Sequence, residues 1–284
     1  MAEDIIIHSG HEDSPSSDGD ARVEHTQLSR EELSELVDIV LLVGQSMLLS
    51  GAANFRTEQT MAQIGLGMGA DRLELFVTTT GIIATAVSGS EQRTRVGRVG
   101  PLGVNMAQVV GYNRLSRYMS LIGGTLDSTR RQVMAIKAKP RDLPAWATIP
   151  AVGLACGGFA QNLGGGWGEF AAATLGAALA QWTRLKLHAL GVSAYALTVV
   201  SAFFAVLAAW GICEVADCPR PDLAVAASVL LLVPGVPLVT SVIDLTNHDM
   251  VSGLARAALS ILLALAIGVG VMLALWVTGL RILP

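Results

Sequence analysis

The stretch LLLVPGVPL, Leu230–Leu238, places two prolines and a glycine inside a run without charged residues that extends from Leu223 to Ile243. Such a run is long enough to cross a membrane, which takes about 20 residues. Proline lacks a backbone N–H and clashes with the preceding helical turn, and glycine loosens the helix further. Two interpretations stay open at this point: a helix broken at a substrate path, or a proline kink that neighbouring helices relieve.

Charged residues are distributed unevenly along the chain. Of its 284 residues 52% are hydrophobic and only 15% are charged, whereas soluble domains carry about a quarter charged residues. Lys, Arg, Asp and Glu are common up to Arg141 and scarce after it. The composition therefore predicts a disordered acidic tail at 1–28, a cytoplasmic α+β domain at 29–140 and a helical transmembrane domain at 141–284.

The polar half has the pattern of an α+β domain. Ser29 and Glu32 form a capping box, which predicts a helix from about Arg30 to Ser50. A second helix is expected from about Asn54 to Met68. Two β-branched runs around Gly81 and a third run after them predict three strands, and two more helices follow.

Catalytic signatures are missing from this half of the sequence. Between Arg30 and Pro140 there is no histidine and no cysteine, which excludes Ser–His–Asp and Cys–His nucleophiles and the usual zinc ligands. The glycine-rich GLGMG, residues 65–69, follows a helix and is typical of a helix end rather than a nucleotide loop. We therefore predict no enzyme, no metal and no cofactor, and the low aromatic content argues against nucleic acid as a partner.

The membrane half predicts about five spans. The region 143–182 is the least regular and is interpreted as two spans, with one re-entrant hairpin as the alternative. The predicted spans are 143–162, 167–183, 190–213, 223–243 and 257–280. Basic residues before the first span and after the second place the polar half in the cytoplasm and, with five spans, the C-terminus outside. Cys213 and Cys218 then flank an outer loop, where they could pair or stay free thiols.

Polar groups in and beside these spans are the candidate functional residues. The hypothetical substrate path comprises Pro234, Gly235, Pro237, Ser228, Gln161 and Asn162. For Gln161 and Asn162 a simple interfacial position is an equally good interpretation. Glu169 is expected at the outer water interface, in a glycine-rich connection. Asp244 and Arg256 flank the turn TNHD, and pairing across that turn or solvation is favoured over direct contact with a ligand.

The segment Ala226–Arg256, together with GGGWGE, LLSGA and GVNM, resembles the threonine/serine exporter family. The resemblance extends from about Glu32 to the C-terminus and is greatest to the separate, YjjP-like members, which carry only the first half of that transporter. It implies a cytoplasmic domain followed by five spans in the inner membrane. It also implies export of small hydrophilic metabolites: threonine and serine for the full-length members, succinate for the YjjP-like protein with a small YjjB-like membrane subunit.

The resemblance also assigns residues to family motifs. By it, Pro234, Gly235, Pro237, Asp244, Gly253 and Arg256 fall on the fourth-span block, Trp167 on a Gly-Gly-Trp turn, and Gly103 and Asn105 on a Gly-x-Asn of the soluble domain. The missing second half is expected from the partner or from self-assembly, and it would be inverted relative to the first. The leading hypothesis is an exporter subunit. The alternative is a membrane-anchored sensor or scaffold whose cytoplasmic domain binds a ligand or protein.

Overall fold

The computed structural model describes residues 27–101, 103–140 and 144–279. Its first part contains a three-stranded sheet and four helices, and its second part contains six helices and one short 3₁₀ turn. We call the first part, Arg30–Lys137, the sheet unit, and the second part, Ala145–Thr278, the helical unit. The tail predicted at 1–28 lies outside the described residues apart from its last two.

The sheet unit contains the helices and strands predicted for the polar half. They are α1 (Arg30–Leu49), α2 (Asn54–Gly67), β1 (Arg72–Val77), β2 (Gly81–Ser88), β3 (Glu91–Arg98), α3 (Met106–Ile122) and α4 (Leu126–Lys137). The capping box is confirmed, because Ser29 and Glu32 each accept a hydrogen bond from the other's backbone N–H. The strands pair antiparallel in the order β1-β2-β3, and β2 buries Ile82, Ala84 and Ala86 in a core shared with α1.

The helical unit packs through small residues. Its elements are α5 (Ala145–Asn162), α6 (Trp167–Ala189), α7 (Ala194–Ala216), α8 (Pro221–Ser228), a 3₁₀ turn (Leu230–Leu232), α9 (Gly235–Thr246) and α10 (Met250–Thr278). A Cβ on Gly176 of α6 would lie 2.8 Å from the Ala205 carbonyl oxygen in α7 and 3.2 Å from the Ser228 Cβ in α8. Glycine therefore permits these helices to approach closely.

The long apolar helices define a membrane protein. α7 and α10 are each long and apolar enough to cross a bilayer, and α8 with α9 provides a third crossing if the bent pair is one span. The mean hydropathy of α5 and α6 is lower than that expected of a membrane span, because both helices contain many small and polar residues. The structure thus supports two or three apolar spans directly.

The segment 223–243 is not one helix. α8 and its 3₁₀ turn end at Leu232, α9 begins at Gly235, and the two directions differ by 60°. Val233 (ψ 130°) and Pro234 (ψ 65°) leave the helical conformation. Pro237 lies in the first turn of α9, where a missing N–H costs no intrahelical hydrogen bond. Of the two interpretations of LLLVPGVPL, the broken helix matches the geometry, and a kink within a continuous helix does not.

Candidate functional site

The turn between α1 and α2 fits against the start of α9. Gly51 has φ +88°, a left-handed conformation that favours glycine. A Cβ on Gly51 would lie 3.1 Å from the Gly103 carbonyl oxygen and 3.2 Å from a methyl group of Val236. Val236 is the second residue of α9. The sheet unit therefore contacts the helical unit directly after the helix break.

The Gly-x-Asn motif holds the same turn from the other side. The Gly103 N–H donates to the Leu49 carbonyl at 2.9 Å, and the Asn105 N–H donates to the Ser50 carbonyl at 3.0 Å. Asn105 also caps α3, since its side chain accepts a hydrogen bond from the Gln108 N–H at 3.4 Å. The motifs LLSGA and GVNM, far apart in the sequence, thus belong to one structure beside the break.

Asp244 and Arg256 form a buried ion pair at the centre of this junction. Arg256 Nε lies 3.1 Å from Asp244 Oδ2, and their side chains are 1% and 0% exposed. These two atoms are close but not aligned as a hydrogen bond, so their attraction is mainly coulombic. Asp244 Oδ1 accepts a hydrogen bond from the backbone N–H of Asn54 at 2.9 Å. The predicted pairing is confirmed, and it is buried rather than solvated.

The Asp244 carboxylate acts as a helix cap across the two units. Asn54 is the first residue of α2, and the preceding Ala53 has no side chain that can cap the helix. The first N–H groups of a helix lack intrahelical partners, and the helix dipole favours a negative charge beside them. The Asp244 carboxylate from α9 therefore supplies the N-terminal cap that the local sequence of α2 lacks.

The Arg256 guanidinium and the Asn54 amide complete the network. Arg256 Nη2 donates to the Ala52 carbonyl at 2.9 Å and to Asn54 Oδ1 at 3.0 Å. Asn54 Nδ2 donates to the Val77 carbonyl at 3.0 Å and to Ser252 Oγ at 2.6 Å. The end of β1 and the starts of α2 and α10 are thereby joined. Burying charged groups without such partners would be costly.

Two more carboxylates surround the pair. Glu58 Oε1 accepts a hydrogen bond from the Val77 N–H at 3.2 Å. Burial raises the pKa of Glu58, the Val77 N–H opposes this effect, and the charges of Asp249 and Asp244 add to it. Burial also raises the pKa of Asp249, with Arg256 acting in the opposite direction. The junction therefore has an excess of negative charge around one guanidinium.

The helix break itself faces open space. Within the described residues, no atom outside its own helix and its chain neighbours lies within 4 Å of a Cβ built on Gly235. Leu231 and Val233 are 45% and 48% exposed. Among the described helices, α9 packs substantially on α10 alone. The surface beside Pro234 is therefore not covered by the described residues.

The other path candidates are Ser228, at the end of α8, and Gln161 and Asn162, at the end of α5. Ser228 is buried and donates to the Val225 carbonyl of its own helix at 2.8 Å. Gln161 is half-buried and Asn162 is exposed at the end of α5. That end adjoins the turn before Trp167, on the side of the bundle where α7 leads into α8. Ala160, next to Gln161, packs in one cluster with Ala227, next to Ser228.

The Glu169 side chain is buried against its own chain. Its side chain is 2% exposed in the first turn of α6. One carboxylate oxygen accepts a hydrogen bond from the Gly166 N–H at 2.8 Å, and the other accepts one from the Arg220 N–H at 2.9 Å. These backbone donors satisfy the carboxylate away from water. Glu169 thus fastens the α7–α8 connection to α6, while its neighbour Trp167 is exposed.

Asn54 and Ser252 are junction residues that the sequence analysis missed. Ser252 lies four residues before Arg256 on the same helix, so both project from one face of α10. That spacing of four residues from Arg256 could have indicated that Ser252 belongs to the junction. Asn54 offered none, because its role depends on Asp244, which lies 190 residues away.

Long apolar helices, a broken helix and a buried charged pair are together typical of membrane transport proteins. Residues 38–278 match the family model described as "Putative threonine/serine exporter". The chain belongs to this family, and the resemblance noted from its motifs is confirmed.

The relatives identify it further as a YjjP-like member. It is 30% identical over 243 residues to "Probable succinate transporter subunit YjjP" of Klebsiella aerogenes, covering 83% of this chain and 91% of that protein. The protein of the same name in Escherichia coli is 28% identical over 262 residues, or 89% and 99% of the two chains. "Probable threonine/serine exporter" of Mycobacterium tuberculosis is 24% identical over 244 residues, which are 85% of this chain but 46% of that protein. No solved structure matches significantly.

Proposed function

We propose that this chain is one subunit of an inner-membrane secondary exporter of small carboxylate-bearing metabolites, either threonine and serine or a dicarboxylate such as succinate. The observation that carries the proposal is the broken segment at Pro234, whose open side the described residues do not cover. A second membrane subunit of the YjjB-like kind, or another copy of the chain, completes the substrate path there. The names of the relatives support a transporter subunit rather than an enzyme.

The proposed topology has five spans, at α5, α6, α7, α8 with α9, and α10. Tryptophans prefer the two membrane surfaces. Trp146 begins α5 and Trp182 lies near the end of α6, whereas Trp167 begins α6 and Trp276 lies near the end of α10, all of them exposed. With alternating span directions these form one belt at each surface. The basic residues before α5 support an orientation with residues 29–140 in the cytoplasm and the C-terminus outside.

The proposed mechanism uses backbone groups and movement rather than covalent chemistry. At the break, α9 presents its N-terminal end, whose dipole attracts a carboxylate. Pro234 and Pro237 prevent the two halves from merging into one helix. At its other end, α9 is held to the sheet unit by Asp244 and Arg256. A movement of the sheet unit is therefore transmitted to the broken helix.

The test is metabolite efflux from cells that lack their own exporters of these compounds. Cells expressing this chain together with its second subunit should release succinate, threonine or serine faster than cells expressing either alone. Efflux is divided by the amount of membrane-inserted chain. Equal release with and without the chain for all three metabolites would refute the proposal.

One observation favours the alternative of a membrane-anchored sensor or scaffold. A cleft of about 390 Å³ lies between α1 and α4, and its polar lining includes Glu31, Glu35, Asp38 and Arg130. It could hold a small ligand or a basic peptide segment. Alanine substitution of Arg130 distinguishes the two functions. A sensor should lose its function, because it requires this cleft, whereas an exporter whose cleft is purely structural should keep its efflux.

A further inference from the structure

The end of α7 brings two cysteines together. Asp217 adopts a left-handed conformation (φ 49°, ψ 52°), and the Cys218 N–H donates to the Cys213 carbonyl at 3.1 Å. In a Schellman motif, the residue after the left-handed one donates a backbone hydrogen bond to the carbonyl five positions earlier, as Cys218 does here. In this motif the side chain that follows the left-handed residue packs on the side chain five positions earlier. Here both of these side chains carry thiols.

The two thiols are neighbours in the folded chain. Cys218 packs against the buried cluster that contains Cys213. Both are free thiols, with Cys213 4% exposed and Cys218 half-buried. A disulfide requires Cβ atoms about 3.5–4.5 Å apart. The Schellman motif brings these two side chains to the same side of the helix end, where rotation about their side-chain bonds can meet this condition.

We propose that Cys213 and Cys218 form a disulfide that closes the α7–α8 connection. The co-reactant is the disulfide of a protein thiol oxidase on the outer side. The more exposed Cys218 thiolate attacks that disulfide, forming a mixed disulfide and releasing one oxidase thiolate. The Cys213 thiolate then attacks the Cys218 sulfur of the mixed disulfide and releases the second oxidase thiolate. Two electrons thereby pass to the oxidase, and its dithiol takes up the two protons. The inference rests on the proposed topology, which places this connection in an oxidising compartment.

The surroundings are shaped for such a bond. A Cβ on Gly168 would lie 2.9 Å from Cys218 Sγ, so glycine at the start of α6 leaves room for the sulfur. Two residues later in the connection, the Arg220 N–H caps Glu169 at 2.9 Å. The disulfide would hold the connection in the position that Glu169 requires.

Alkylation of the full chain in its membrane tests the bond. Cells are quenched in acid, free thiols are blocked under denaturing conditions with N-ethylmaleimide, and the protein is then reduced and labelled with a maleimide of about 5 kDa. The wild type should gain two labels. Cys156→Ala should also gain two, because Cys156 is a free thiol outside the proposed pair and is blocked in the first step, whereas Cys213→Ala and Cys218→Ala should gain none. No label on the wild type, or one label on each single variant, would overturn the intrachain bond.

A second measurement separates this inference from the topology. In the Cys213→Ala variant, the free Cys218 is treated in intact cells with a membrane-impermeant maleimide. Labelling there, combined with an unlabelled wild type in the first experiment, leaves the topology standing and refutes the disulfide. Labelling only after the cells are opened refutes the outer position and the disulfide with it.

Discussion

Asp244 in α9 caps α2 of the sheet unit: its Oδ1 accepts the backbone N–H of Asn54 at 2.9 Å, across 190 residues of sequence. Its other oxygen lies 3.1 Å from Arg256 Nε, so one carboxylate serves both a helix end and a guanidinium. The Arg256 guanidinium in turn contacts the Ala52 carbonyl. The sheet unit is therefore attached to α9 and α10 by directional hydrogen bonds. These bonds allow the sheet unit to move together with the two helices.

Replacing Asp244 with alanine should destabilise the protein by about 3–5 kcal/mol, because Arg256 is then buried without its counter-charge. Heating the detergent-solubilised protein and following the folded fraction measures the loss. The double variant Asp244→Ala with Arg256→Met should lose less than the single variants together, since the two residues interact.

The control for this prediction is Asp222→Ala, which removes an ion pair with Arg220 that is 3.8 Å long and half exposed. Exposed pairs contribute about 0–1 kcal/mol. Equal destabilisation by the two aspartate variants would show that the junction has no special role.

Gly51→Ala should destabilise more than Gly191→Ala. Both glycines have positive φ, +88° and +74°, so both substitutions carry a strain of about 1 kcal/mol. Only the Cβ at residue 51 would also press on Gly103 and Val236, since no atom of the described residues around it lies within 4 Å of a Cβ at residue 191. The difference in melting temperature isolates the contact between the turn and α9, and an equal shift would argue against it.

Gly235→Leu should leave the amount of inserted protein unchanged, because the site is open. Gly253→Leu should lower it, because a Cβ there would lie 2.6 Å from Leu245 Cγ and 3.0 Å from the Leu245 backbone nitrogen. If a second subunit closes on the break, efflux per inserted Gly235→Leu molecule falls strongly in cells that contain that subunit. Unchanged specific efflux would place the substrate path away from the break.

Glu58→Gln should raise stability at pH 8 and bring little gain near pH 4.5. Burial, the largest cause, raises the pKa of Glu58 above 4.5 in the folded protein, so the folded state binds the proton more tightly than the unfolded state. Its contribution to stability is then greatest at low pH and declines as the pH rises through the folded pKa. Glutamine is neutral at every pH, so it avoids the free-energy cost of burying the charged carboxylate, and its side-chain oxygen can still accept the hydrogen bond from the Val77 N–H. Melting temperatures at several pH values test this, and a variant less stable at pH 8 would contradict it.

Much of the fold could be predicted from local pattern. Ser29 and Glu32 are three residues apart and cap their own helix, so sequence alone identified the start of α1. The same is true of the break at Pro234, because a proline acts on the turn next to it. The family resemblance likewise rested on short continuous motifs.

Contacts between distant parts of the chain could not be predicted. The sequence placed Glu169 in a glycine-rich connection, but it gave no sign of the contact with the Arg220 N–H, which lies 51 residues further along. For Gly235 it specified no neighbours, and within the described residues no atom outside its own helix and its chain neighbours lies within 4 Å of a Cβ built there. Whether a glycine is crowded or a carboxylate is solvated depends on residues that local pattern does not specify.

The sequence by itself determined the partition into a polar and an apolar half, the helices and strands of the sheet unit, and the position of the helix break. These follow from hydropathy, capping and proline geometry, which act over a few residues. Only the tertiary structure decided that LLSGA, GVNM, Asp244 and Arg256 meet at one junction with Asn54. Such a network needs donors and acceptors from α2, β1, α9 and α10 at hydrogen-bonding distance, and their relative placement comes from packing of the whole chain.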